Sequence, residues 1–166
     1  MQRLMLAAVL ATSALLLTGC GTVQGPSFSE ARAPAPVNGK ALVYVYRKHA
    51  EPTAWGGTIF FDRSEIATLN QGGFTWAHLS PGTHTVRAVW AGLSGQRDSL
   101  INLEVNADTT YYLELVGVSK LVGVAPAYPG IALSFQMGSG LNETDPARAE
   151  AIVAACCKFQ SPKTLQ

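Results

Sequence analysis

Apolar and polar residues alternate with a period of two along much of residues 41–136. Val86, Ala88 and Trp90 share one side of a predicted strand, whereas Thr85 and Arg87 lie on the other side. This alternation is typical of antiparallel sheets that have one buried face and one wet face. It predicts eight strands: Leu42–Arg47, Thr58–Asp62, Glu65–Leu69, Phe74–Leu79, Thr83–Ala91, Ser99–Val105, Thr109–Val116 and Ile131–Gln136.

Turn-forming residues separate these runs. Ser80-Pro81-Gly82-Thr83 combines a proline of restricted φ with a glycine that is free to take a positive φ, and Asn106-Ala107-Asp108 offers side-chain turn bonds. We expect a hairpin at both places.

One helix is predicted near the C-terminus. It begins at Asp145-Pro146, where a capping side chain precedes a proline in the first turn. Ala149, Ile152, Val153 and Cys156 then form one apolar stripe. The predicted fold class is mainly β, an antiparallel sandwich of immunoglobulin-like or transthyretin-like type with one C-terminal helix, over residues 40–160. Residues 161–166 are expected to be a frayed tail.

The first twenty residues have the anatomy of an export signal. Arg3 precedes a charge-free run of fourteen residues, 4–17, which is too short to cross a bilayer as a helix. The segment Leu17-Thr18-Gly19-Cys20 resembles the lipobox of bacterial lipoproteins. This resemblance implies cleavage between Gly19 and Cys20, so that residues 1–19 are a signal peptide and Cys20 carries the lipid.

A lipid on Cys20 would keep the protein at a membrane. One acyl chain binds a protein to a bilayer only weakly, whereas two or three chains bind it stably. Gly21 follows Cys20, and the absence of Asp at that position resembles the default for sorting to the outer membrane. We therefore expect a lipid-anchored protein on the periplasmic side of the outer membrane. Residues 20–39, rich in Gly, Pro and Ala, are predicted to be a flexible tether.

Charge argues against nucleic acid as a partner. The chain has 12 Lys and Arg against 11 Asp and Glu, and loss of Arg3 with the signal leaves 11 against 11. No run of basic residues could neutralise a phosphate backbone.

Two cysteines remain once Cys20 is assigned to lipid. Cys156 and Cys157 are adjacent, and adjacent residues form a disulfide only with distorted backbone geometry. We expect two buried thiols, with an intermolecular bridge as the alternative.

The sequence contains no pattern typical of an enzyme. It has no nucleophile with its base, no glycine-rich phosphate loop and no metal-ligand spacing. His84 is expected to pack or to form turn bonds, and a zinc site built from His78 and His84 with Asp62 or Asp98 has no recognised spacing. We expect no catalytic residue, no metal and no cofactor other than the covalent lipid.

The stretch 117–130 is apolar but is interrupted by glycines and prolines. It is predicted to be either a loop that covers the core or an exposed contact surface for a partner. In the second case the contact residues would be Leu121, Val122, Val124 and Tyr128.

Several motifs together resemble the DUF2846 family of short bacterial lipoproteins, whose shared domain has no assigned function. They are ALVYVYR at 41–47, Phe61-Asp62, Ile66–Leu69, Gly73-Phe74, Leu79–His84 and Tyr111–Leu113. The resemblance implies an extracytoplasmic β-sandwich and supplies no catalytic residues.

Two functions are expected from these observations. The first is a membrane-anchored, non-catalytic binding or structural module whose partner is another envelope protein. The alternative is a module that binds glycan or peptide on an aromatic sheet face. That face would draw on Tyr44, Tyr46, Trp55, Phe60, Trp76 and Tyr112.

Overall fold

The structure is a computed structural model that describes residues 23–51 and 54–161. The elements in these residues are α1 (Phe28–Ala31), β1 (Ala41–Arg47), β2 (Gly57–Phe61), β3 (Ser64–Leu69), β4 (Gly73–Leu79), β5 (Gly82–Trp90), β6 (Ser99–Val105), β7 (Thr110–Ala127), β8 (Gly130–Thr144), α2 (Pro146–Cys156) and β9 (Lys158–Phe159). A single 3-10 turn lies at Gly92–Ser94.

The strands form two sheets packed face to face. Sheet 1 has the order β8-β7-β1-β4-β9, and sheet 2 has the order β3-β2-β5-β6. The prediction of a mainly β sandwich with one C-terminal helix is confirmed. Most neighbours are antiparallel, but β1 runs parallel to β7 and β4 runs parallel to β9.

The central core lies between the two sheets. Val86 and Ala88 of sheet 2 pack against Val43, Val45 and their neighbours in sheet 1. The predicted inward residues of β5 and β6 are buried or nearly so, because the side chains of a strand alternate between its two faces.

Sheet 1 is also covered on its outer side. Phe28 of α1 and Val153 of α2 pack on Tyr44, Tyr46 and Phe74 in a second apolar cluster. Neither the tyrosines nor Val43 and Val45 of β1 are exposed to solvent. All seven residues of β1 are buried, as is typical of a central strand with layers on both sides.

The segment before β1 differs from the predicted tether. Ser27 pairs with Lys158 of β9, and Phe28 is buried in the outer cluster. A capping box between Ser27 and Glu30 begins the short helix α1. The packed chain therefore starts near residue 25 rather than at residue 40, since a single large aromatic side chain supplies enough apolar contact to hold this segment on the sheet.

Both predicted turns are present, but neither closes a hairpin. Gly82 takes a φ of 132° and Asp108 a φ of 56°, as turns at these places require. Each turn leads from a strand of one sheet to a strand of the other sheet, β4 to β5 and β6 to β7. The hairpin prediction is wrong because turn chemistry does not specify which strand becomes the hydrogen-bonded neighbour.

The helix α2 begins as predicted. The Asp145 carboxylate accepts from the N–H of Arg148 at 3.0 Å, and Pro146 occupies the first turn. Ala149 and Val153 are buried against sheet 1, and Ile152 packs beside them. The apolar stripe therefore lies on the sheet, as the spacing indicated.

Cys156 and Cys157 are joined to each other in a disulfide. Our expectation of two thiols is wrong. The helix ends between the two residues, and Cys157 has extended backbone angles, so their side chains are not held at helical spacing. The partner of each sulfur is thus its chain neighbour.

The predicted signal peptide 1–19, its cleavage site at Gly19 and the lipid-bearing Cys20 lie outside the described residues, as do residues 162–166 of the predicted tail. Across 23–51 and 54–161, no helix has the length and apolar character needed to span a membrane.

Candidate docking arm

The segment predicted as a loop is the distal half of a long strand. Strand β7 continues to Ala127 and pairs with β8 throughout, so residues 117–138 form a two-stranded ribbon beyond the sandwich, here called the arm. Tyr128 and Pro129 connect its strands. The alternative that this segment is a loop covering the core is wrong. Its backbone N–H and C=O groups are hydrogen-bonded across the two strands, so the segment does not need to be buried.

All four predicted contact residues lie on the arm and are exposed. The exposed fractions are 48% for Leu121, 55% for Val122, 60% for Val124 and 102% for Tyr128 at the tip. Sequence reasoning missed three further exposed residues of the second strand: Ile131, Leu133 and Phe135. The alternation of large apolar residues with Ala132, Ser134 and Gln136 was the signal that could have found them.

The register assigns these side chains to one side of the ribbon. Leu121 pairs with Phe135, Val124 with Leu133, and Pro126 with Ile131, so these six residues share what we call the apolar face. Val122 occupies an irregularity in the register, and it lines a depression of about 520 Å³ together with Phe135 and Met137. The opposite face carries the exposed Val118 near its base and is otherwise small or polar, with Lys120, Gly123, Ala125, Ala132, Ser134 and Gln136.

The apolar face continues the core-lining side of sheet 1. Leu113 and Leu115 of β7 are buried in the central core, and Leu121 has the same strand parity. On β8 the corresponding series runs from the buried Leu141 through Ser139 to Met137 and Phe135. Sheet 2 reaches this side as far as Ser139 and the connection before β6 reaches Met137, so the part of the apolar face beyond them has no cover among the described residues.

Hydrogen bonds attach the base of the arm to the sandwich. Glu51 donates its N–H to the carbonyl of Gly117 at 2.9 Å. The Gln96 side-chain amide donates to the carbonyls of Glu51 at 2.9 Å and Val118 at 3.1 Å. The indole of Trp90 donates to Ser139 Oγ at 2.8 Å. These contacts tie both strands to the sandwich where the arm begins.

Arg47 stabilises the same region from inside and was not singled out from the sequence. Its side chain is fully buried and donates to the carbonyls of Trp55 at 2.6 Å, Leu69 at 2.9 Å and Ala50 at 2.7 Å. The guanidinium carbon lies 4.8 Å from the centre of the Trp90 ring. Burial lowers the pKa of Arg47 to about 10, so the group stays charged at neutral pH.

The aromatic residues considered for ligand binding are not gathered on an open face. Tyr44 and Tyr112 are stacked at 4.8 Å and are buried, and Tyr46 is buried beside them. A pocket of about 310 Å³ borders Tyr44 and Tyr112, and an ion pair of Arg32 with Glu150 at 2.9 Å lies among its lining residues. What remains accessible there is a small opening of mixed polar and apolar lining rather than a row of exposed rings.

His84 forms turn bonds, as predicted. Its Nδ1 lies 2.9 Å from Asp62 Oδ2 and its Nε2 lies 2.8 Å from the carbonyl of Ser80. The hydrogen bond to the Asp62 carboxylate raises the pKa of His84 above its ordinary value of 6.5, and the same bond lowers the pKa of Asp62 below 3.8. Asp62 also accepts from the N–H of Thr85 at 3.0 Å, so this group ties the β2–β3 turn to the start of β5.

No group of three or more His, Cys, Asp and Glu side chains that could hold a metal ion occurs among residues 23–51 and 54–161.

The fold and the site define a small β-sandwich protein with a projecting, one-sided apolar arm. A family model described as "Protein of unknown function (DUF2846)" matches residues 37–127, which is more than half of the chain. The chain belongs to this family. Searches of curated proteins and of solved structures returned no significant match.

Proposed function

We propose that this protein is an envelope lipoprotein that binds a protein partner through its arm and catalyses no reaction. Acyl chains on Cys20 hold it at the outer membrane, facing the periplasm. The observation that carries the binding role is the apolar face of the arm, which exposes five large side chains together with Pro126 on a fold whose other apolar residues are mostly buried.

The size of this surface supports a binding role. Six side chains, each about half exposed, amount to on the order of 600 Å² of apolar surface, the upper end of what a typical monomer shows. Continuous apolar surface of this size is costly in water and is typical of interaction sites. The alternative of glycan or peptide binding on an aromatic face has less support, because Tyr44, Tyr46 and Tyr112 lie beneath α1 and α2.

The membrane anchor is tested by replacing Cys20. We expect Cys20→Ala, or treatment with globomycin, to leave precursor that is unprocessed or no longer fractionates as the lipidated protein. The double variant Cys156→Ser/Cys157→Ser is the matched control and should stay membrane-bound, since it removes cysteines but leaves Cys20. Unchanged fractionation and mass of the Cys20→Ala protein would contradict the anchor.

The binding role is tested by photo-crosslinking in cells that produce the full chain. We expect p-benzoylphenylalanine in place of Val124 to give protein adducts, because this side chain lies on the apolar face. The same group in place of Ala125 is the control on the opposite face and should give few. Equal or absent protein adducts at both positions would contradict docking through the arm.

A further inference from the structure

We propose that the partner covering the apolar face is the same face of a second copy of this chain, in a twofold symmetric dimer. This inference rests on the docking role proposed for the arm and names its occupant.

The charge of the arm favours a second copy as its partner. Lys120 is the one charged residue between positions 117 and 138, and it lies on the opposite face. Arg97 lines the depression at the base of the arm, and beyond it the apolar face offers no charge pattern that a charged partner could complement. An uncharged apolar surface is complementary to itself, as an isologous interface requires.

The shape and area of the apolar face also fit a second copy of the arm. Within one chain, the core-lining side of sheet 1 packs on another sheet, and the arm extends this side by two strands that have no sheet opposite. The arm of a second copy is a ribbon of the same width, length and side-chain type. Two such faces would bury about 1,200 Å² in total, which reaches the lower bound for specific protein interfaces.

The arm and the N-terminal segment leave the sandwich in opposite directions. The arm leaves sheet 1 at the end where Arg47 pairs with Gly73, and ten residue steps from Gly117 to Ala127 carry it about 33 Å beyond that end. The N-terminal segment pairs with β9 in the antiparallel sense, and β9 runs parallel to β4. From Ser27 back to Gly25 the chain therefore runs away from the arm.

This direction suits a dimer on one membrane. Cys20 is three residues from Val23, so the chain between them can span at most about 10 Å. A twofold axis normal to the bilayer keeps both anchors in one leaflet and brings the two arms together above it. Confinement to one surface raises the effective concentration of the arms, so a modest interface is sufficient.

The same geometry disfavours lipid as the occupant. The outer edges of a two-stranded ribbon carry backbone N–H and C=O groups that have no cross-strand partner. Moving each such group from water into hydrocarbon costs several kcal/mol, because it loses its hydrogen bonds to water. The arm also lacks the cluster of Lys and Arg that attracts a protein segment to an anionic membrane surface.

Site-specific crosslinking of the lipidated full chain in its membrane tests the dimer. With p-benzoylphenylalanine in place of Phe135, we expect an adduct of twice the chain mass that contains only this chain. The neighbouring position Gln136, on the opposite face, is the control and should give little of this adduct. Adducts from Phe135 to a different protein would overturn the dimer while leaving the docking role intact. Adducts to lipid alone, or none at all, would overturn both.

A second measurement compares the self-association of two variants. Both substitutions are at exposed positions, so neither should prevent folding. Leu133→Glu should weaken association of two differently tagged copies in detergent by about 100-fold, because the twofold axis brings two like charges into an apolar interface. Ala132→Glu on the opposite face should change it less than threefold. Equal effects of the two substitutions would overturn the proposed face.

Discussion

Replacing Arg47 with Met should destabilise the fold by about 3–5 kcal/mol. The substitution preserves much of the side-chain volume but removes the donors to three backbone carbonyls, those of Ala50, Trp55 and Leu69. The Ala50 carbonyl keeps the Gln71 side-chain amide as a donor at 2.6 Å, whereas the Trp55 and Leu69 carbonyls lose the guanidinium. A buried acceptor left without a donor costs about 1–3 kcal/mol, so these two give about 2–6 kcal/mol. The upper part of this range is offset because the variant no longer buries a charge, which itself costs several kcal/mol.

Chemical unfolding of the full chain in detergent, followed by circular dichroism and by Trp fluorescence, measures the loss. Arg87→Met is the matched control, since Arg87 also lies 4.8 Å over an aromatic ring, that of Phe60, but is exposed on sheet 2. We expect the control to lose less than about 1 kcal/mol. A loss below about 1 kcal/mol for Arg47→Met, or similar losses for the two variants, would refute the reasoning that the carbonyl contacts of a buried guanidinium stabilise this region.

Three further predictions concern the N-terminal segment, the base of the arm and the pH dependence of stability. Phe28→Ala should lower the free energy of unfolding by about 3 kcal/mol, measured by the same method, because a buried aromatic side chain is lost from the outer cluster; no change would mean that this segment does not pack on the sheet. Gly117→Ala should increase hydrogen exchange of the backbone amides at the base of the arm, because the new Cβ would overlap a backbone carbonyl oxygen. Gly130→Ala at the tip is the control and should have no effect, because its Cβ would meet nothing within 4 Å. The raised pKa of His84 adds stability that is complete below pH 6.5 and is lost as the pH rises through the pKa of the folded state. The lowered pKa of Asp62 adds stability that is complete above pH 3.8 and is lost as the pH falls through the pKa of the folded state. The stability measured by thermal melts should therefore fall by less than about 1 kcal/mol between pH 6 and pH 8. Asp62→Asn should remove this pH dependence. An unchanged pH dependence in that variant would contradict the role given to the His84–Asp62 pair.

The local pattern was sufficient for β1 to β6 and for the start of α2, but not for α1, β9 or the full length of β7 and β8. Period-two alternation located β1 to β6 within a residue or so of their ends, and the Asp145 cap with Pro146 located the start of α2. These features depend on neighbouring residues along the chain, through alternation of side chains and satisfaction of terminal N–H groups. The assignment of Cys20 to lipid likewise comes from a local motif and stays a prediction.

The candidate site was predicted only in part. Leu121, Val122, Val124 and Tyr128 were named as contacts under one of two alternatives, and the structure exposes all four. Their partners on β8 were not named, because pairing across a long hairpin depends on register rather than on composition.

The sequence by itself determined which residues of each strand share a face, where the turns and the C-terminal helix begin, and that the chain is close to neutral. Only the tertiary structure decided which faces are covered. It buries both sides of β1, including the rings of Tyr44 and Tyr46, and the guanidinium of Arg47. It leaves the apolar face of the arm exposed to solvent. The physical reason is that alternation is a property of one strand, while burial depends on the layers that pack against it from distant parts of the chain.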